Sequence, residues 1–205
     1  MYPVFAAQTT QTPGDDRYTH VFGTADFMMN RDGVKEEIPV NGHYRITPRL
    51  PDLGVLTHFQ VPERAQAHSK WSVTASVMAS EGPAAGVAIW SGSKGYVLSF
   101  YPDGRGYMRM YQGRSISWNQ DIDVRGFILP ADITLDRDAN GSVLGKVNGV
   151  IVAARLLDVN LKSPVKDKIT TVSFATHSTK EKPGVSATYG TLHVEGWSAG
   201  STGVF

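Results

Sequence analysis

Residues 70–80 read KWSVTASVMAS, with Trp, Val, Ala and Val at alternate positions and Ser, Thr and Ser between them. A two-residue period of this kind fits an extended strand with one face in a core and one in water. It recurs along the chain at 17–23, 42–48, 54–61, 85–91, 96–102, 106–112, 115–120, 131–137, 142–147, 150–156, 171–179 and 187–197. No window of eleven or more residues carries a 3.6-residue apolar period. The 21 glycines and 11 prolines, together with short alternating runs, point to an all-β chain with many turns. Asn148-Gly149, between KV and VIV, spells a type I′ hairpin, because both central residues of that turn need positive φ. Asp32-Gly33, Asn41-Gly42, Asp103-Gly104 and Asn140-Gly141 mark further reversals. Strands without helices to cover them must cover one another. The expected fold is therefore all-β, an antiparallel sandwich of two sheets.

A chain of 205 residues supports one sizeable core. Residues 17–197 are expected to form that single domain. The 20 basic and 19 acidic residues leave a formal charge of +1 with no basic tract, which argues against nucleic acid. The absence of cysteine removes disulfides, thiolate catalysis and Cys-ligated zinc. No segment approaches the ~20 apolar residues of a membrane helix. Residues 1–16 lack Lys and Arg, so the expectation is synthesis in the cytoplasm without a signal peptide.

Both ends differ in kind from the middle. Residues 1–16 are polar, rich in Thr and Gln and broken by Pro13-Gly14, and 198–205 form a small-residue tail. Such ends become ordered only against a partner. Residues 1–16 are expected to run as an extended arm, with Tyr2, Val4 and Phe5 as the groups that dock on a neighbouring subunit.

Three constellations carry candidate chemistry. Tyr107, Arg109 and Tyr111 share one face of a strand, while Met108 and Met110 share the other. The Met face suits a core, so the Tyr-Arg-Tyr face is expected to look outward. With Trp90 or Trp118 on the same face of a neighbouring strand, it makes an aromatic platform with a planar cation. That platform either stacks sugar rings and protein partners or stabilises the sheet by cross-strand packing. Asp136, Asp138 and Asn140 in DRDANG match the opening of a calcium loop, but Val147 stands where its last glutamate belongs, and an Asx-rich hairpin turn explains the same letters. The histidines at 20, 43, 58, 68, 177 and 193 show no zinc spacing. His177 and His193 stand on alternating strands and are expected either to meet across a sheet or to be ordinary half-buried side chains.

From Phe22 to Trp197 the order of features resembles the concanavalin A-like lectin and glucanase superfamily, especially its laminin-G-like members. The resemblance rests on NGHYRI, WSVTASVMA, the run AGVAIWSGSKGYVLSFYPDGRGYMRMYQ, the turn in ITLDRDANGSVLGKVNGVIV, and VSFAT with ATYGTLHVEGW at the close. It implies a jelly roll and leaves function open, since lectins, glycosidases, lyases and virion components share that fold. Glucanases of the superfamily carry a strand like E-I-D-I-E, whose two glutamates cut glycosides as a pair. The nearest match here is QDIDVR at 120–125, where no register places two glutamates and 102–146 contain none. Asp121 and Asp123 share a face roughly 7 Å apart by strand rise, and retaining hydrolysis needs about 5 to 5.5 Å. They are expected to be solvated rim groups and the chain not to be an enzyme.

The expected function is a non-enzymatic jelly-roll component of a multi-subunit assembly, such as a virion decoration or tail protein, at an extracellular assembly surface and with a glycan as an added partner. The alternative is a stand-alone carbohydrate-binding module. A glycoside hydrolase or lyase is the least favoured reading.

Overall fold

The computed structural model describes residues 8–10, 17–22, 34–37, 42–63, 65–66, 68–157 and 168–197. Among these there is no helix, and the strands form two antiparallel sheets. The nine-stranded sheet begins at an edge hairpin of β1 (Gln8–Thr10) and β2 (Arg17–Phe22). Two short strands, β3 (Val34–Glu37) and β4 (Tyr44–Pro48), pair with each other. In the six-stranded sheet the order is β10-β9-β8-β7-β14-β5. Its members are β5 (Gly54–Gln60), β7 (Ala84–Ser91), β8 (Lys94–Phe100), β9 (Arg105–Gln112), β10 (Ser115–Asp123) and β14 (Thr171–His177). The nine-stranded sheet also holds β6 (Lys70–Ser80), β11 (Ala131–Arg137), β12 (Val143–Val147), β13 (Val150–Arg155) and β15 (Ala187–Trp197). Its order is β1-β2-β15-β6-β11-β12-β13. The first half of β15 pairs with β4 and its second half with β2, with a register shift between Tyr189 and Leu192.

The alternation read in 70–80 closes the core as expected. Trp71, Val73, Ala75 and Val77 point inward, and Ile133, Leu135, Leu192 and Val194 join them from β11 and β15. The facing sheet supplies Val87, Ile89, Leu98, Phe100, Met108, Val172 and Phe174. Phe174 stacks between Tyr189 at 4.3 Å and Tyr44 at 5.9 Å. A buried phenol needs a polar partner, and Tyr189 Oη donates to the Ala175 carbonyl at 2.8 Å while Thr176 Oγ1 lies 2.7 Å away. Burial pushes its pKa far up.

The hairpin at Asn148-Gly149 has φ values of 48° and 80°, as the type I′ signal requires. Two elements escape the sequence reading. Val34–Glu37 forms a short strand, and Gln8–Thr10 pairs with Val21, His20 and Thr19 of β2. Those three residues of the expected free arm therefore extend an edge of the chain's own sheet. Tyr2, Val4, Phe5 and the tail 198–205 lie outside the described residues.

Candidate functional site

Register decides what the six-stranded sheet shows to the outside. On β9, Met108 points into the core and is fully buried, as the Met face predicts. Tyr107, Arg109 and Tyr111 therefore lie on the outer face. Across the ladders, Tyr107 stands opposite Asp121 and Ser99, and Arg109 opposite Asn119 and Val97. Tyr111 stands opposite Ile116 and Gly95, and Gly95 pairs onward with Trp90. Trp90 thus shares the face with the Tyr-Arg-Tyr set.

Trp118 does not. A β-bulge between Ile116 and Trp118 inserts one unpaired residue, so Trp118 pairs with Met110 and turns to the core side. There its ring and that of Tyr96 flank the Arg155 guanidinium, at 5.9 and 5.7 Å. The expectation that Trp118 shares the aromatic platform is corrected by that one-residue slip, which the letters SISWN do not disclose.

The face is not a plain exposed platform either. Tyr107 is only 6% exposed and packs with Ala84, Ala88, Val97 and Ala175 in a small apolar cluster outside the main core. The Arg109 guanidinium lies over its ring, 3.8 Å from the centroid. Burial pushes the Tyr107 phenol well above its ordinary pKa, against the opposing pull of Arg109. Tyr107 is therefore a packed base, and Arg109 is what it presents.

Arg109 is held in place. Its Nε donates to Asn119 Oδ1 at 2.9 Å, and Asn119 Nδ2 donates to Asp121 Oδ1 at 3.0 Å. The two terminal nitrogens of Arg109 have no acceptor among the described residues. A cation stacked on an aromatic ring and fixed at Nε is a preorganised fork of donors.

Over this fork opens a groove of about 990 Å³, with Tyr107 and Arg109 in its floor. Asp121 and Asp123 edge it from β10, and Asp52 and Lys180 edge it from loops. An exposed ion pair, Arg105 Nη2 to Asp103 Oδ2 at 2.7 Å, stands at the β8–β9 turn. His177 meets the ring of Tyr107 edge-on at 6.3 Å, and its Nε2 lies 3.3 Å from Asp52 Oδ1. Its Nδ1 is buried without a partner. Burial lowers the His177 pKa, and the Asp52 carboxylate offsets part of that.

The remaining candidates fall elsewhere. Asp136 Oδ2 pairs with Lys146 Nζ at 2.5 Å, and Asp138 Oδ1 accepts the backbone N–H groups of Asn140 and Ser142, both at 2.9 Å. The DRDANG letters therefore spell a hairpin turn, and the calcium reading of Asp136, Asp138 and Asn140 is set aside. Among the described residues no group of three or more His, Cys, Asp or Glu side chains could hold a metal. His177 and His193 do not meet, because they stand on different sheets, and His193 lies 3.6 Å from Glu195. Asp52, Asn119 and His177 were not expected as neighbours of Arg109. Asp52 and His177 come from segments far apart in the chain, and Asn119 reaches Arg109 across the β9–β10 hairpin only through a register that the bulge sets.

No protein-family model matches the chain, and no curated protein sequence matches it. Solved structures do. A Bacillus subtilis protein of unknown function with a galectin-like fold superposes with a TM-score of 0.52 at 12% identity, over 81% of this chain and 89% of that one. The Crh5 transglycosylase in complex with NAG superposes with a TM-score of 0.50 at 13% identity, over 90% and 84% of the two chains. The carbohydrate-binding module CBM66 from Bacillus subtilis gives 0.49 at 7% identity, over 84% and 92%. The chain has a galectin-like, concanavalin A-like jelly-roll fold, and at these identities the likeness is one of fold.

Proposed function

We propose that this protein binds carbohydrate, without cleaving it, in the groove over Tyr107 and Arg109. The observation that carries the reading is the Arg109 fork, stacked on Tyr107 and locked through Asn119, with its terminal nitrogens unengaged beside the Asp121 carboxylate. A sugar hydroxyl both donates and accepts. Arginine only donates and a carboxylate only accepts, so the two side by side orient a ring bearing neighbouring hydroxyls. The transglycosylase of the same fold is complexed with NAG, which supports a saccharide as a ligand this architecture accommodates.

Hydrolysis fits the groove less well. It needs a carboxylic acid kept protonated by an apolar surround, paired with a second carboxylate. Every carboxylate lining this groove, including Asp121 and Asp123, is exposed. An assembly role through Tyr2, Val4 and Phe5 draws no support from the described residues, since the nearest described stretch, Gln8–Thr10, pairs within the chain.

Glycan-array binding of the wild-type protein and of Arg109→Ala tests the proposal. The wild type is expected to retain at least one glycan class. The variant should lose about 1 kcal/mol or more of that binding, roughly fivefold in Kd, with an unchanged far-UV spectrum. Equal binding by the variant overturns the assignment.

A further inference from the structure

We infer that the groove is one end of a longer site, and that its ligand is a linear, uncharged saccharide chain lying along β9 from Arg109 to an indole plate at Trp90. The inference rests on the carbohydrate reading above and adds the class and length of the ligand.

The far end of the outer face is a second aromatic cluster. Trp90 lies flat on the backbone of Gly95, so closely that a Cβ there would sit 2.3 Å from its ring carbons. Tyr111 abuts it at 6.0 Å and 38°, and His58 meets it edge-on at 6.5 Å. The indole N–H is buried without an acceptor, so packing alone holds the ring. Trp90 is nonetheless half-buried rather than covered. Glycine beneath it leaves one ring face toward the sheet, and the other is available to stack an apolar sugar face. Exposed Ile116, opposite Tyr111, continues the same surface.

Geometry sets the ligand's length. The Arg109 guanidinium lies over the Tyr107 ring, and Trp90 lies over Gly95, which stands opposite Tyr111. Tyr107 and Tyr111 are four residues apart on one strand, about 13 Å by the rise per residue. A single pyranose ring cannot reach from the Arg109 fork to the indole plate. Chemistry sets its charge. Charged side chains are gathered at the groove end, whereas the outward positions of β7 and β8 along the way are Gly86, Ala88, Gly95, Val97 and Ser99. None of these carries a charge, and all are buried, with the rings of Tyr107, Tyr111 and Trp90 packed over this stretch. A neutral chain therefore lies over aromatic rings without desolvating an ion.

Titration calorimetry with ladders of neutral gluco-, manno-, xylo- and galacto-oligosaccharides, from monosaccharide upward, tests the inference. For the wild type, Kd should fall about tenfold or more as the chain grows long enough to span both ends. Trp90→Ala should return the long chain to the Kd of the short one and leave the short one unchanged. Trp90→Phe, which still covers Gly95, should fall between, and a melting curve for each variant separates binding from misfolding. A Kd independent of chain length, or a Trp90→Ala effect equal on monosaccharide and chain, overturns the extended site. If Arg109→Ala still weakens binding in that case, the groove reading stands. Binding confined to acidic glycans also overturns the neutral chain and keeps the groove, and no binding to any saccharide overturns both.

Discussion

The outer faces of the two sheets are built from the same alternation and end up chemically opposed. On the nine-stranded sheet several outward side chains pair with one another, although the buried Asp136 Oδ1 keeps no partner among the described residues. Thr74 and Thr134 hydroxyls lie 2.9 Å apart, Ser76 Oγ donates to Asp132 at 2.7 Å, and Asp136 pairs with Lys146. On the six-stranded sheet the outward side chains bury one another instead. Tyr107 sinks among Ala84, Ala88 and Val97, Trp90 covers Gly95, and the cation that results, Arg109, faces solvent with donors unspent. A polar face whose groups are largely paired has less to offer a ligand. A face whose apolar groups are packed and whose polar fork is held open is organised for one.

The sharpest way to break this contrast is to remove the packed base. Tyr107→Ala should cost about 3 kcal/mol or more of unfolding free energy in urea, the range for truncating a buried aromatic. It should also release Arg109 and abolish binding. A loss below about 1 kcal/mol would mean that the outer cluster contributes little, and the two faces would be less different than they look.

A smaller effect separates the groove from the rest by pH. Burial lowers the His177 pKa from its ordinary 6.5 despite Asp52. As pH falls below that value, the unfolded chain takes up a proton that the folded chain does not yet hold. Stability from this site is therefore complete above about pH 6.5 and declines as pH falls toward the lower folded value, below which the slope vanishes. His177→Gln should flatten that limb of a melting-temperature profile. An acid limb unchanged in the variant would assign the titration to another group.

The smallest expected effect lies on the opposite face. Thr74→Val with Thr134→Val replaces both partners of one hydroxyl pair with side chains of similar shape, so stability should change by less than about 1 kcal/mol and binding not at all. A loss of glycan binding in this double variant would move the functional surface to the nine-stranded sheet.

Much of the fold was legible because its determinants are local. The period of KWSVTASVMAS, the Met108 and Met110 alternation and the Asn148-Gly149 turn each state their conformation within a few residues. Strands that lack such a signature, Gln8–Thr10 and Val34–Glu37, went unread. They lie at sheet edges, each paired to one neighbouring strand. The candidate site was half legible. Trp90, Arg109 and Tyr111 reach the expected face, while Tyr107 is buried under Arg109 and Trp118 is turned away by the bulge.

By itself the sequence determined that this chain forms antiparallel strands with an apolar side and an outward side, because a two-residue period and a turn's φ requirements are properties of neighbouring residues. Only the tertiary structure decided which outward side became the candidate site. Arg109 and Asn119, on one hairpin, meet Asp52 and His177 through ladders and loops that join distant segments. A single inserted residue in β10 changes which side chains share a face. Contacts of that range depend on register, and register is settled by the packing of the whole sandwich.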